Sequence, residues 1–147
     1  MIYFDNNKQA YAFEIPNYIC TVSDEVWTEY AGTDKWDIID GVFTDITDTE
    51  EYKEKKAEEE AERISHLKCT KRVLVLILEQ LGLDYFQQIE PLINSNRQAK
   101  LEWELCVELE RSNPLLDVVG AQLGVSPEQL DAIFKYANGE IDTLQVQ

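Results

Sequence analysis

Thr47-Asp48-Thr49-Glu50-Glu51-Tyr52-Lys53-Glu54-Lys55-Lys56-Ala57-Glu58-Glu59-Glu60-Ala61-Glu62-Arg63 contains no glycine or proline and few apolar side chains. Such a run reads as an exposed helix. Thr47 and Glu50 have the spacing of a capping box. Glu51 with Lys55, and Glu59 with Arg63, stand four residues apart in the order that favours a solvated helix. Ala57, Ala61 and Ile64 leave only a thin apolar seam. That seam has two readings: a solvated connecting helix over 47–68, or weak pairing in a homo-oligomer. Either way the run divides the chain, because the apolar patterns on its two sides differ.

Before it, residues 1–46 read mostly as strands. Ile2-Tyr3-Phe4 is followed by the turn cluster Asp5-Asn6-Asn7, and Ala10 to Ile15 resumes with Tyr11 and Phe13 two residues apart. That is the pattern of a hairpin. Ser23 with Asp24 and Glu25 behind it opens a short helix that Gly32 closes. Asp40-Gly41 between Trp36–Ile39 and Val42–Asp45 is a strong signal for a second hairpin.

After it, the pattern is helical. Thr70 caps Lys71 to Leu81, apolar nearly all round and ended by Gly82; such a helix belongs in the centre of a core. Asp84 opens Tyr85 to Ile89. Arg97 to Arg111 carries Leu101, Leu105 and Leu109 at four-residue intervals, the apolar face of one continuous helix. Asn113-Pro114 and Ser126-Pro127-Glu128-Gln129 start two more helices, each with a cap followed by proline. Asn138-Gly139 ends the last of them.

The expected fold is therefore α+β: a small N-terminal antiparallel β-hairpin module with a short helix (1–46), a charged connecting helix (47–68), a C-terminal all-α bundle of four to five helices (69–139), and a flexible tail (140–147).

Charge and composition narrow the function. The chain has 29 acids, 13 Lys and Arg and one His, for a net charge of −16. Residues 1–46 hold 9 acids against 2 bases, 47–68 hold 8 against 5, and 69–147 hold 12 against 6. Acidity is thus spread along the molecule and argues against direct binding to nucleic acid or an anionic membrane. Val73 to Leu78, the longest strongly apolar run, is far shorter than the ~20 residues that span a bilayer, and the N-terminus lacks the pattern of a signal peptide.

Catalytic templates are missing as well. His66, the single histidine, reads as a surface residue. No nucleophile elbow, phosphate loop or dinucleotide motif occurs. Cys20, Cys69 and Cys106 lack metal-ligand spacing and read as free thiols of a reducing compartment, Cys69 and Cys106 on apolar helices. Glu102, Glu104, Glu108 and Glu110 read as a solvated stripe. The corner Ala121 to Leu130 has the outline of a helix-turn-helix, but Glu128, Gln129 and Asp131 have the wrong character for phosphates, so it reads as a packing hairpin. No enzymatic activity, metal or cofactor is expected. What stands out is the aromatic content of the first module. Tyr11, Phe13, Tyr18, Trp27, Tyr30, Trp36 and Phe43 are the candidate partner-binding residues, in a module whose core also needs aromatic rings.

The segments Ala12-Phe13-Glu14-Ile15-Pro16-Asn17-Tyr18, Val22-Ser23-Asp24-Glu25-Val26-Trp27 and Ile39-Asp40-Gly41-Val42-Phe43, the charged helix, Asn113-Pro114-Leu115-Leu116-Asp117 and Leu123-Gly124-Val125-Ser126-Pro127-Glu128-Gln129-Leu130 together resemble small accessory proteins encoded near tail-fibre genes in phages and prophages of gut-type Firmicutes. The resemblance implies a non-enzymatic viral protein of the host cytoplasm or the virion, whose partner is a phage tail or tail-fibre component. It carries over no site residues. The alternative is an acidic anti-defence protein, anti-CRISPR-like, that mimics nucleic acid and occupies the groove of a host nucleic-acid enzyme.

Overall fold

The computed structural model describes residues 1–144 of the chain. Its strands and helices fall into two compact units, Met1–Glu58 and Glu59–Gln147, and the fold is α+β.

In the first unit, β1 (Ile2–Phe4) lies between β2 (Ala10–Tyr11) and β3 (Cys20–Val22), antiparallel to both. The expected first hairpin exists, but β2 stops at Tyr11 and the third strand completes the sheet. Helix α1 (Asp24–Tyr30) follows, with the Ser23 side chain accepting the Val26 N–H as its cap. β4 (Trp36–Ile39) and β5 (Val42–Asp45) then pair around Asp40-Gly41. Both turn residues have positive φ, 51° and 76°, as a two-residue turn matching the strand twist requires. Ile2, Phe4, Cys20 and Ile38 are the buried core, with Trp27, Trp36 and Phe43 packed around them.

Helix α2 (Glu50–Ser65) starts two residues later than the Thr47 box implied. Thr49 Oγ1 accepts the Tyr52 N–H, while Thr47 is drawn to Asp45 by its hydroxyl and its amide. The boundary between the units falls within this helix. In the first unit, Tyr52 and Lys56 both donate to Asp34. In the second, Ile64 is buried and Arg63 donates to Glu60 and Glu140.

The second unit is built from α3 (Lys71–Gln80), one wide π-helical turn (Tyr85–Ile89), α4 (Glu90–Asn94), α5 (Arg97–Leu105), α6 (Pro114–Leu123) and α7 (Pro127–Ala137). The caps expected at Thr70, Asp84, Asn113 and Ser126 are all formed, Ser126 and Gln129 as a full capping box. The core gathers Leu74, Ile77, Leu78, Ile89, Ile93, Leu109, Leu116, Leu130, Ile133 and Phe134. Gly120 is required where α6 meets α7. A Cβ there would lie 3.1 Å from the Val125 carbonyl oxygen and 3.2 Å from Leu130 Cδ1.

This unit is not wholly helical. β6 (Lys68–Thr70) pairs antiparallel with β7 (Glu108–Glu110), setting Cys69 opposite Leu109 with both side chains inward. The helix expected to reach Arg111 therefore ends at Leu105, and Cys69 lies on a strand with Cys106 at the end of α5. The Leu101, Leu105, Leu109 row is broken up: Leu109 is 1% exposed, but Leu101 and Leu105 are 42% and 81% exposed. Ala99 and Trp103 turn inward in their place. Of the segment expected to be a tail, Glu140 pairs with Arg63 at 2.8 Å and Leu144 packs on the core; residues 145–147 lie outside the described residues.

Candidate interaction surface

The alternation of β1 sorts the aromatic residues of the first unit. Ile2 and Phe4 face inward, with Phe4 completely buried, so Tyr3 lies on the opposite face. Phe4 is enclosed by Trp27 at 5.3 Å, Trp36 at 5.3 Å and Phe43 at 5.8 Å between ring centres. Trp36 and Phe43 stack at 5.2 Å, as their neighbouring places on a tight hairpin allow. Tyr30 meets Phe43 edge-on and donates its hydroxyl to Asp45 Oδ2 at 2.7 Å. Asp45 also accepts from the Thr47 hydroxyl and amide. These bonds, the Thr47 hydroxyl foremost, hold its carboxyl down at about 2. Trp27, Tyr30, Trp36 and Phe43 thus form the wall of a core, joined to helix α1 and strand β5.

The other candidates gather on the outer face. Tyr3 is the register partner of Tyr11 on β2 and of Thr21 on β3, and residues directly opposite in an antiparallel pair share a face. Tyr18 packs edge-on against Tyr3 at 5.1 Å, and Phe13 edge-on against Tyr11 at 5.8 Å. Two edge-on ring pairs, set side by side by the Tyr3–Tyr11 register, therefore lie on the outer face. Phe13 is 66% and Tyr18 46% exposed. The Tyr11–Phe13 pair is pinned at Asp5, whose Oδ1 accepts the Asn7 and Gln9 amides and whose Oδ2 accepts the Tyr11 hydroxyl at 3.1 Å. The Gln9 amide chiefly lowers the Asp5 carboxyl below its ordinary range, and Asp5 in turn raises the Tyr11 phenol. Tyr11 is thus held in one orientation as a neutral phenol.

The structure brings Tyr11, Phe13 and Tyr18 together and separates them from Trp27, Tyr30, Trp36 and Phe43. Sequence reasoning left Tyr3 and Asp5 out of the site. The alternation Ile2-Tyr3-Phe4 and the Asx spacing from Asp5 to Asn7 were the available signals.

Reactive chemistry is sparse elsewhere. His66 lies between Glu110 Oε1 at 2.6 Å and Glu62 Oε1 at 3.0 Å, and these carboxylates, Glu62 first, raise its pKa. Burial pushes the Cys69 thiol up to about 11 and also raises Cys106, which suppresses their thiolates at neutral pH. Among the described residues, no group of three or more His, Cys, Asp or Glu is placed to hold a metal ion. No helix among the described residues is long and apolar enough to cross a membrane. Comparison of the chain with protein-family models, with curated proteins and with solved structures found no match.

Proposed function

We propose that this protein acts by binding another protein through the outer face of its N-terminal sheet, with Tyr3, Tyr11, Phe13 and Tyr18 as the contact residues and no chemistry of its own. The observation that carries this reading is the exposure of ordered aromatic pairs on one face. Phe13 keeps two thirds of its surface in water while seated against Tyr11, and Tyr11 is anchored by Asp5. Rings that are fixed before association lose little entropy on docking, which is why tyrosine and other aromatics serve as interface anchors. Through the phage resemblance, the partner is a component of a tail or tail fibre, met in the host cytoplasm or on the virion.

The test is co-expression with the products of the neighbouring genes. Copurification that persists at high salt and is lost in the double variant Phe13→Ser, Tyr18→Ser, with thermal stability unchanged, is the expected result. A partner that is instead a nucleic-acid enzyme, released steeply by salt and by reversal of Asp and Glu charges, overturns this reading in favour of nucleic-acid mimicry.

A further inference from the structure

The second unit has an open groove of about 350 Å³ lined by Lys71, Arg72, Val75, Leu76, Tyr85 and Trp103. Its origin lies in the periodicity of α3. Leu74, Ile77 and Leu78 go to the core, which leaves Arg72, Val75 and Leu76, at three- and four-residue spacings, on the outer side. The floor is rigid, since Trp103 Nε1 donates to the Tyr85 hydroxyl at 3.0 Å with the rings 6.2 Å apart. Apolar surface continues beyond it. Leu76 is 50% exposed, and Phe86, 74% exposed, stands edge-on to Tyr85. The Lys71 amide donates to the Val107 carbonyl, which brings the exposed Val107 to the same end.

That end is also cationic. Lys8, Lys56, Arg63 and Arg111 are each neutralised by carboxylates. Lys71 instead donates to the Trp103 carbonyl at 2.6 Å, with its ammonium 5.5 Å from the indole ring. Arg72 makes no ion pair among the described residues. Two adjacent positive charges therefore lie beside an apolar surface in a chain of net charge −16. At physiological salt the screening length is about 8 Å; Glu79 stands by the groove but its carboxylate already accepts the Tyr85 amide at 2.8 Å, so an entering carboxylate gains by direct contact with Arg72.

We infer that the groove is a second protein-binding site, taking a short segment of another protein in which an Asp or Glu carboxylate lies next to an aliphatic or aromatic side chain. The apolar side chain rests on Val75, Leu76, Tyr85 and Trp103, and the carboxylate pairs with Arg72, whose planar guanidinium accommodates both of its oxygens. A polynucleotide matches the two bases but not the apolar floor, and its run of phosphates meets the acids around the groove where a single carboxylate meets Arg72.

A display library of random short peptides, selected on the full chain, tests this. Selected peptides should carry an acid close to Leu, Phe or Trp. A synthetic copy should shift the Trp103 indole N–H resonance, and it should bind about tenfold more weakly to Arg72→Glu, or when its acid is replaced by the amide. Leu76→Ser, a surface change that leaves the core intact, should weaken it as well. Failure to enrich any peptide, a consensus without acids, or equal binding to Arg72→Glu overturns the inference. So does a Trp103 resonance that moves with protein concentration alone, because a second copy then covers the groove. None of these outcomes bears on the aromatic sheet, which is tested by other residues.

Discussion

Arg111 ties the corner between α6 and α7 to the strand before it. It is buried, and it donates to Asp131 at 2.8 Å, to Asp117 at 3.2 Å and to the Pro127 carbonyl at 3.1 Å. The helix-turn-helix outline seen in the sequence is thus a packing device, with two of its acids turned to an internal arginine. Arg111→Met should cost about 3 kcal/mol in denaturant unfolding, the low end for a broken buried network because both aspartates keep access to water. Arg111→Lys should recover only part of that, since an ammonium lacks the fork; full recovery would count against the clamp. His66 gives a pH dependence with a definite sign. Its pKa is raised in the folded state, so its contribution is complete below the unfolded value of about 6.5 and disappears as pH rises through the folded value. The stability gap between the wild type and His66→Gln should therefore be wider at about pH 6 than at about pH 8.5; a gap that widens with pH would mean that the two carboxylates do not hold the proton. Neither residue's role was legible beforehand, because Glu110 comes from a strand and Asp131 from a helix far along the chain.

At the level of the elements, caps and turns were legible and lengths were not. Ser23, Thr70, Asn113 and Ser126 cap as their spacing implied, and Asp40-Gly41 makes the expected hairpin, since these signals depend on a few adjacent residues. The segment after Arg97 was misread because Leu101, Leu105 and Leu109 have a helical period while the chain leaves the helix after Leu105. Pairing with β6 recruits Glu108 to Glu110, and a three-residue ladder is too short to register as an alternation. The two leucines should separate sharply in experiment. Leu109→Ala should cost about 2–5 kcal/mol, as for a filled core site, whereas Leu105→Ala should stay within about 0.5 kcal/mol. Equal costs, measured by chemical denaturation, would restore the continuous helix.

For the molecule as a whole, an excess of 16 negative charges is a cost of compaction that salt relieves. Going from about 0.01 M to about 0.15 M shortens the screening length from roughly 30 to 8 Å, so the melting temperature should rise with added sodium chloride. A fall would mean that ion pairs such as Arg63 with Glu140 outweigh the general repulsion. Composition and local pattern by themselves determined the charge, the α+β class, and most caps and turns, because these depend on residue type and near-neighbour spacing. Tertiary structure alone decided which aromatic rings are core and which are surface, where the leucines of Arg97 to Arg111 point, and that Arg72 stands beside an apolar groove. Burial depends on what a side chain meets across the fold, and a tyrosine on either face of a strand has the same propensity until the partner strands fix the register.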